Sequence, residues 1–387
     1  MTVLHLDLLD STDPAPEVMR GMESHRLLST GAPSSSHTGG AQARKALAEA
    51  RKSFQGMLNA ADPEEVIFTG SGTESANLVL KGLAWKASAQ GRKHLVLSAI
   101  EHPAVTESLR FLERHGFECS RIGVDAQGRV NPQEMLDAIR PDTFLMVIHQ
   151  GHYDVGTLQD VEVLGQGCAA AGVSIFCDAS SLGGWMPLDV RVMKVDLLSL
   201  SPHRFFGPTG VGVLYRRKGC LLESLIHGGP QEFGLRAGME NTEAIVGAGI
   251  AAELSQVGAS RREENCRAKQ RRFLDRLRTA LVDWQLNGPE PGPWRDPHHL
   301  SLSFDGIEGE ALALRLDLRG IRVSAGTGCR SRELRLSPAL LAMGVPKERA
   351  LGTIRIGLNE TMTDADTDRA VEELALAVNK LRGMNVR

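Results

Sequence analysis

Apolar positions in this chain fall into two rhythms. Short runs of apolar residues, closed off by Gly, Pro, Ser or Asp, occur at 66–69, 94–98, 144–149, 174–178, 196–201 and 211–215. They have the length and β-branched content of strands, the run 144–149 that of a buried one. Between them the spacing is helical. Residues 41–60 put Leu47, Phe54 and Leu58 on one side and Arg44, Glu49, Arg51 and Lys52 on the other, which predicts an amphipathic helix. Helices are also expected from the Gly70–Ser75 turn to about 85, from about 100, and over 160–171. A long helical region follows from 242 to about 284, broken near Gly258 and strongly basic from Arg261 to Arg278, where the charge run is most simply a solvated face. Beyond it the pattern changes to a small α+β unit: strands at 299–304, 321–324 and 353–357, helices at 308–318 and 364–381.

Bulk composition narrows the functional classes. The 387 residues are 42% hydrophobic and 24% charged, enough for one large or two medium domains with a real core. A net charge of −3 implies no polyanionic partner. No run approaches the ~18 apolar residues of a membrane span, and the first ten residues hold acids and no basic leader. Aromatic residues are only 4% of the chain, without basic–aromatic patches, which argues against nucleic-acid binding. The six cysteines, at 119, 168, 177, 220, 266 and 329, show no C-x-x-C spacing. That speaks against a disulfide framework or zinc module and for the cytoplasm.

Several polar clusters stand at strand ends. Gly70-Ser-Gly-Thr-Glu-Ser75 joins a strand to a helix. Its free backbone N–H groups and the helix dipole suit a phosphate, although such turns are equally common as plain structure. His102 stands at a helix start, as a polar cap or as a proton-handling group. Asp178 ends a strand, where a carboxylate in an open α/β sheet faces the ligand crevice. Cys329 lies in Ala325-Gly-Thr-Gly-Cys-Arg-Ser331, a Gly-rich loop whose Arg330 and Arg332 favour a thiolate.

Taken in order, these segments resemble the cysteine desulfurases, in the class V aminotransferase branch of the fold-type I pyridoxal phosphate (PLP) enzymes. Residues 31–39, Gly-Ala-Pro-Ser-Ser-Ser-His-Thr-Gly, are similar to the family's Gly-Asn-Pro-Ser-Ser-x-His-x-x-Gly. Gly70–Ser75 resembles its phosphate loop, His227–Asn241 its Gly-Gly-Gly-Gln-Glu-x-Gly-x-Arg-Ala-Gly-Thr-Glu-Asn segment, and 325–331 its cysteine loop. Thr353-Ile-Arg-Ile-Gly357 resembles the strand whose Arg clamps the substrate carboxylate. The opening Leu6–Val18 has the family's length and ends, but Leu8 and Asp10 stand where Asn and a small residue are usual.

The resemblance implies an α/β fold, the fold-type I PLP-transferase, with a mainly parallel seven-stranded sheet. Residues 15–257 would form the large domain, and 1–14 with 258–387 the smaller α+β domain carrying the Cys329 loop. It implies Gly72 and Thr73 as phosphate contacts, His102 on the cofactor ring, Asp178 on the pyridine nitrogen, and Ser201 and His203 in the turn that holds the cofactor. It implies Arg355 on the substrate carboxylate, and Cys329 as the residue that takes sulfur as a persulfide. It also implies a homodimer, its 228–241 loop reaching the neighbouring pocket, and a sulfur-acceptor or iron–sulfur scaffold partner.

Five further positions, all around the pocket, depart from the family. Arg204 stands where a Lys carries PLP as a Schiff base, and a guanidinium is a poor nucleophile. His152, counted back from Gly156, stands for an Asn that touches the cofactor and the substrate carboxylate; Ser181 stands for Gln, Met239 for Thr and Phe233 for Arg. PLP is therefore expected to be absent or non-covalent. Three expectations follow: sulfur handling through Cys329 without covalent PLP, desulfuration with non-covalent PLP, or a non-catalytic scaffold. A metal variant of the first would need His102, His152, His203 and Cys329 to converge.

Overall fold

The computed structural model describes residues 3–28, 31–326 and 336–385. Eight strands come first: β1 (Leu4–His5), β2 (Val66–Thr69), β3 (His94–Ser98), β4 (Glu118–Ile122), β5 (Thr143–His149), β6 (Ser174–Asp178), β7 (Leu197–Leu200) and β8 (Gly212–Arg216). Strands β2 to β8 form one seven-stranded sheet in the order β2-β8-β7-β6-β5-β3-β4. Pairing is parallel from β4 through β7, and β8 runs antiparallel to both its neighbours.

Strand β5 shows why the sheet sits in the middle of the molecule. All seven of its residues are buried. Met146 and Ile148 pack on one side with Phe54, Leu58 and Phe205; Leu145 and Val147 pack on the other with Leu78, Val79 and Leu109. A strand with helices on both faces has no solvent face, so its apolar run is unbroken. The sheet's C-terminal edge is where the helix Gly72–Ser88 and the helix Pro103–Glu113 begin.

The remaining strands are β9 (Trp284–Leu286), β10 (His299–Phe304), β11 (Ile321–Arg322), β12 (Ser324–Ala325) and β13 (Thr353–Gly357). β12-β13-β10-β9 make an antiparallel sheet. A third apolar cluster packs Leu6 with Phe273, Leu300, Phe304, Ile354, Ile356 and Leu374. The single strand expected at 321–324 is two: β11 pairs parallel with β1, and one residue later β12 joins β13. Val323 is the crossing point. The long basic region divides at Gly258, φ 78°, into the helices Thr242–Gln256 and Ala259–Ala280.

Candidate functional site

A cavity of about 350 Å³ opens at the C-terminal edge of the parallel strands, with Ser71, His102, Asp178, Ser201, Arg204 and Arg355 in its wall. Ser71, His102, Asp178, Ser201 and Arg204 come from the ends of β2, β3, β6 and β7 or from the turns after them, as the crevice of an open α/β sheet requires, and Arg355 reaches the cavity from the middle of β13 in the smaller sheet.

The floor is built largely from backbone. Ser71 caps the helix Gly72–Ser88, its Oγ accepting from Glu74 N at 3.1 Å. Gly72 and Thr73 begin that helix and line the cavity. A Cβ on Gly72 would lie 2.5 Å from Ser201 Oγ and 3.0 Å from Ser180 Oγ, so only glycine leaves this corner open. Asp178 Oδ1 accepts from Ser180 N at 3.0 Å and from Ser199 Oγ at 2.9 Å. Desolvation would raise the Asp178 pKa, but nearby His102 and these hydrogen bonds together hold it below the ordinary carboxylate range. His102 is the N-cap of the helix Pro103–Glu113, with Nδ1 accepting from Ala104 N at 3.1 Å. Burial, aided by the Arg204 charge, pushes its pKa down against Asp178 and Asp10. Burial thus favours the uncharged form of the His102 imidazole near neutral pH. His203 is likewise pushed down, by burial first and then by Arg204.

The rim is built from charged side chains. Arg204 ends the short turn Pro202–Arg204 after β7. The N-terminal segment threads under this turn: Thr12 N donates to His203 O at 2.8 Å, and Phe206 N donates to Thr12 Oγ1 at 2.6 Å. That threading sets Asp10 in the cavity wall, 3.8 Å from the Arg204 guanidinium. Asp10 also forks onto Arg355, with Nη2 donating to Oδ2 at 2.7 Å and Nη1 to Oδ1 at 3.4 Å. The other Arg355 contacts are Ser324 Oγ at 3.0 Å, Tyr153 O at 3.3 Å and, from Nε, Asp154 Oδ1 at 3.7 Å. Burial works to raise the Asp10 pKa; the Arg355 and Arg204 charges lower it further than that.

His152 is not in the wall. Its ring is buried, with Nε2 on Ile100 O at 2.9 Å and Nδ1 accepting from Asp154 N at 3.1 Å. Burial and neighbouring His149 hold its pKa well below the usual value. Tyr153 takes the cavity position and stands edge-on to His102, ring centroids 5.0 Å apart. Counting back from Gly156 therefore lands on a buried side chain outside the cavity wall; the loop turns between Gly151 and Thr157, with His152 N donating to Thr157 O at 2.9 Å. Ser181 lines the cavity but spends its hydroxyl on Gly151 O at 2.7 Å. The three-histidine set does not assemble, and no group of three metal-ligating side chains occurs among the described residues. Cys329 lies outside the described residues. Phe233 and Met239 are on the surface, 50% and 71% exposed.

Asp10, Tyr153 and Asp154 are among the site residues that were not assigned from the sequence, with Ser71, His149 and Ser180. Asp10 carried a signal, as an acid where the family has a small residue.

The aminotransferase class-V family profile matches residues 5–370. The chain is 38% identical over 379 residues to a cysteine desulfurase IscS of Dictyoglomus turgidum, covering 98% of this chain and 95% of that one. It is also 38% identical over 387 residues to a cysteine desulfurase IscS of Methanosarcina thermophila, covering 99% and 93%. Among solved structures, a NifS-like protein superposes with a TM-score of 0.91 at 30% identity, over 98% of this chain and 100% of that one. SspA in complex with cysteine gives 0.80 at 31% identity, over 93% and 100%. The strand order, the edge on which the cavity opens and these likenesses agree: the chain belongs to the aminotransferase class-V family, as a cysteine desulfurase-like protein of sulfur transfer.

Proposed function

We propose that this protein takes part in sulfur transfer without holding PLP covalently, and that Cys329 is its sulfur-handling group. The observation that carries this is Arg204, placed in the cavity wall at the end of β7 with its guanidinium near Asp10. Among the described residues, no lysine lines the cavity. A covalent linkage to the cofactor aldehyde needs a neutral amine, which a guanidinium does not supply.

The same wall supports a second reading, non-covalent PLP. Gly72 leaves a corner a Cβ would fill, at the start of a helix suited to a phosphate. Asp178, kept ionised, would hold a proton on a pyridine nitrogen, and neutral His102 would give or accept a proton above the ring. When bound, PLP supplies an electron sink. The floor fits the group; the attachment point does not. Arg355, on β13, would be the two-pronged partner for a ligand carboxylate. The exposed Phe233 and Met239 on the 228–241 loop support a homodimer built across that loop, and a sulfur-acceptor protein remains the proposed partner. We place the division between domains at residues 15–257 against 1–14 with 258–387, and the protein in the cytoplasm; no described helix is long and apolar enough to cross a membrane.

The test is the visible spectrum with added PLP, followed by borohydride reduction and mass mapping. Reversible binding, or none, with no mass added to the chain is expected. Cofactor reduced onto a cavity residue would overturn the proposal. Light scattering at micromolar concentration should give a dimer mass.

A further inference from the structure

The Arg355 fork already holds a carboxylate, and it belongs to the protein. Asp10 meets the two Nη atoms side-on, at 2.7 and 3.4 Å. The remaining Nη directions go to Ser324 Oγ and Tyr153 O. Asp154 lies on the Nε side at 3.7 Å. Arg355 is 1% exposed, and Asp10, which lines the same cavity, occupies both of its Nη atoms. A side-on carboxylate is the arrangement by which a guanidinium recognises an amino-acid carboxylate.

We propose that Asp10 is a tethered occupant of the Arg355 fork, and that it sets the specificity of the cavity by excluding ligands that carry a free α-carboxylate. This rests on reading Arg355 as a carboxylate fork.

Two physical effects act together. Asp10 is held in place by the backbone of its own segment, with Leu8 and Leu9 buried before it and Thr12 bonded to the turn after it. A tethered group competes at an effective concentration of millimolar or more, without losing translational freedom. An incoming carboxylate must also enter beside Asp10 and Asp154, whose charges repel it. The wall that stays open consists of the helix start at Gly72, Ser201 and His102, with the Arg204 guanidinium beside it. This surface takes a phosphate-bearing group rather than the carboxylate end of an amino acid. In the sulfur-transfer reading, sulfur would then have to come from a donor other than a free amino acid seated at Arg355.

The experiment compares the full-length protein with Asp10→Ser and the isosteric Asp10→Asn. Phenylglyoxal modification of Arg355 is followed by mass mapping, with L-alanine, propionate or ethylamine as added probe. Arg355 should label slowly in the unaltered protein and about tenfold faster or more in Asp10→Ser, the scale expected on removing a tethered competitor. L-alanine and propionate should suppress that labelling and ethylamine should not. Asp10→Asn keeps the shape without the charge and should fall between, which preserves the test if Asp10→Ser folds poorly. Carboxyl-¹³C L-alanine should broaden in the presence of Asp10→Ser and stay sharp with the unaltered protein. Equal labelling rates, or broadening by the unaltered protein, would overturn the proposal while leaving Arg355 a carboxylate fork. Fast labelling in Asp10→Ser that neither carboxylate suppresses would remove the fork reading and this proposal with it.

Discussion

The floor and the rim of the cavity solve opposite problems. At the floor, the polar groups that face the ligand are held from behind: Asp178 by Ser180 N and Ser199 Oγ, His102 by its cap bond to Ala104 N, and the Gly72 corner by the absence of a side chain. Their outward faces are free for a ligand. At the rim, the charged groups face one another: Arg355 with Asp10 and Asp154, Arg204 with Asp10. The floor is geometry that the fold supplies wherever strands end and helices begin. The rim depends on the identity of single side chains, and a single substitution can reassign it.

The rim is most sensitive at Arg355. Replacing it by Met removes the cation that Asp10 and Asp154 share and leaves Asp10 the more distant Arg204 guanidinium at 3.8 Å. Removing one member of a buried pair costs about 3–5 kcal/mol, and chemical denaturation of Arg355→Met should show a loss of that order. A loss below about 1 kcal/mol, the size of an exposed pair, would mean that the rim is solvated and that Asp10 is not committed to the fork.

At the floor the effect should be on ligand rather than on fold. Gly72→Ala places a methyl against Ser201 Oγ and Ser180 Oγ. Loss of one or two hydrogen bonds to a charged phosphate, at about 1.5–3 kcal/mol each, should weaken PLP or inorganic phosphate binding by about tenfold or more, while the melting temperature changes little. Unchanged binding by titration would move the phosphate site elsewhere.

Floor and rim differ in how legible they were, for the same reason. Asp178 and the Gly70–Ser75 turn follow from local punctuation, a strand end and a strand-to-helix turn, while the choice of Gly72 and Ser201 came from the family resemblance. Arg355 was assigned from the likeness of Thr353-Ile-Arg-Ile-Gly357 to a family strand, and it lies in β13 as expected. His152 was misassigned because a turn between two hydrogen-bonded backbone positions consumes residues in a way that linear counting does not capture. Asp10 was visible as an odd residue, but its partner is 345 positions away, and no local pattern connects them. In the fold, the buried strands were read from their unbroken apolar runs. Strand β4, Glu118-Cys-Ser-Arg-Ile122, was missed because an edge strand with exposed and half-exposed positions carries no such run. The helix Pro16–Leu28, with no clear apolar stripe, was missed as well.

Acid should weaken the molecule in two stages, histidines first and carboxylates second. His102, His152, His203 and His299 all have pKa values lowered from 6.5, chiefly by burial. Below that value the unfolded chain binds protons that the folded chain refuses, so stability falls as pH drops through about 6.5. Each unit of depression is worth about 1.4 kcal/mol. Asp10 and Asp178 are lowered from 3.8, so their contribution is complete above 3.8 and is lost only as pH falls toward their folded values. Melting temperature against pH should therefore be flat above about pH 7 and decline in two stages below it. Stability that rises on going from pH 7 to pH 5.5 would contradict the neutral, buried histidines.

The smallest effect on stability is expected at Arg204, and there the comparison is sharpest. Arg204 touches Asp10 only at 3.8 Å, and Asp10 has Arg355 as its closer partner. Exchanging Arg204 for Lys keeps the charge and should alter stability by about 1 kcal/mol or less. It would also supply the amine that the cavity lacks. Even so, the single variant should not acquire efficient desulfuration of cysteine. Ser181 is already committed to Gly151 O, Tyr153 occupies the place expected of an amide, and Met239 offers no hydrogen-bond donor. Two or three missing hydrogen bonds to charged groups, at about 1.5–3 kcal/mol each, correspond to roughly two to six decades of cofactor affinity. The new lysine would also face Asp10, which favours the protonated amine over the neutral one needed for chemistry. The measurement is PLP titration and alanine release from cysteine by Arg204→Lys, beside a variant that adds Asp10→Ser. Turnover in the double variant but not the single one would locate the block in the rim carboxylate. Efficient turnover by Arg204→Lys alone would mean that the floor governs the chemistry and that the rim pairing yields to substrate.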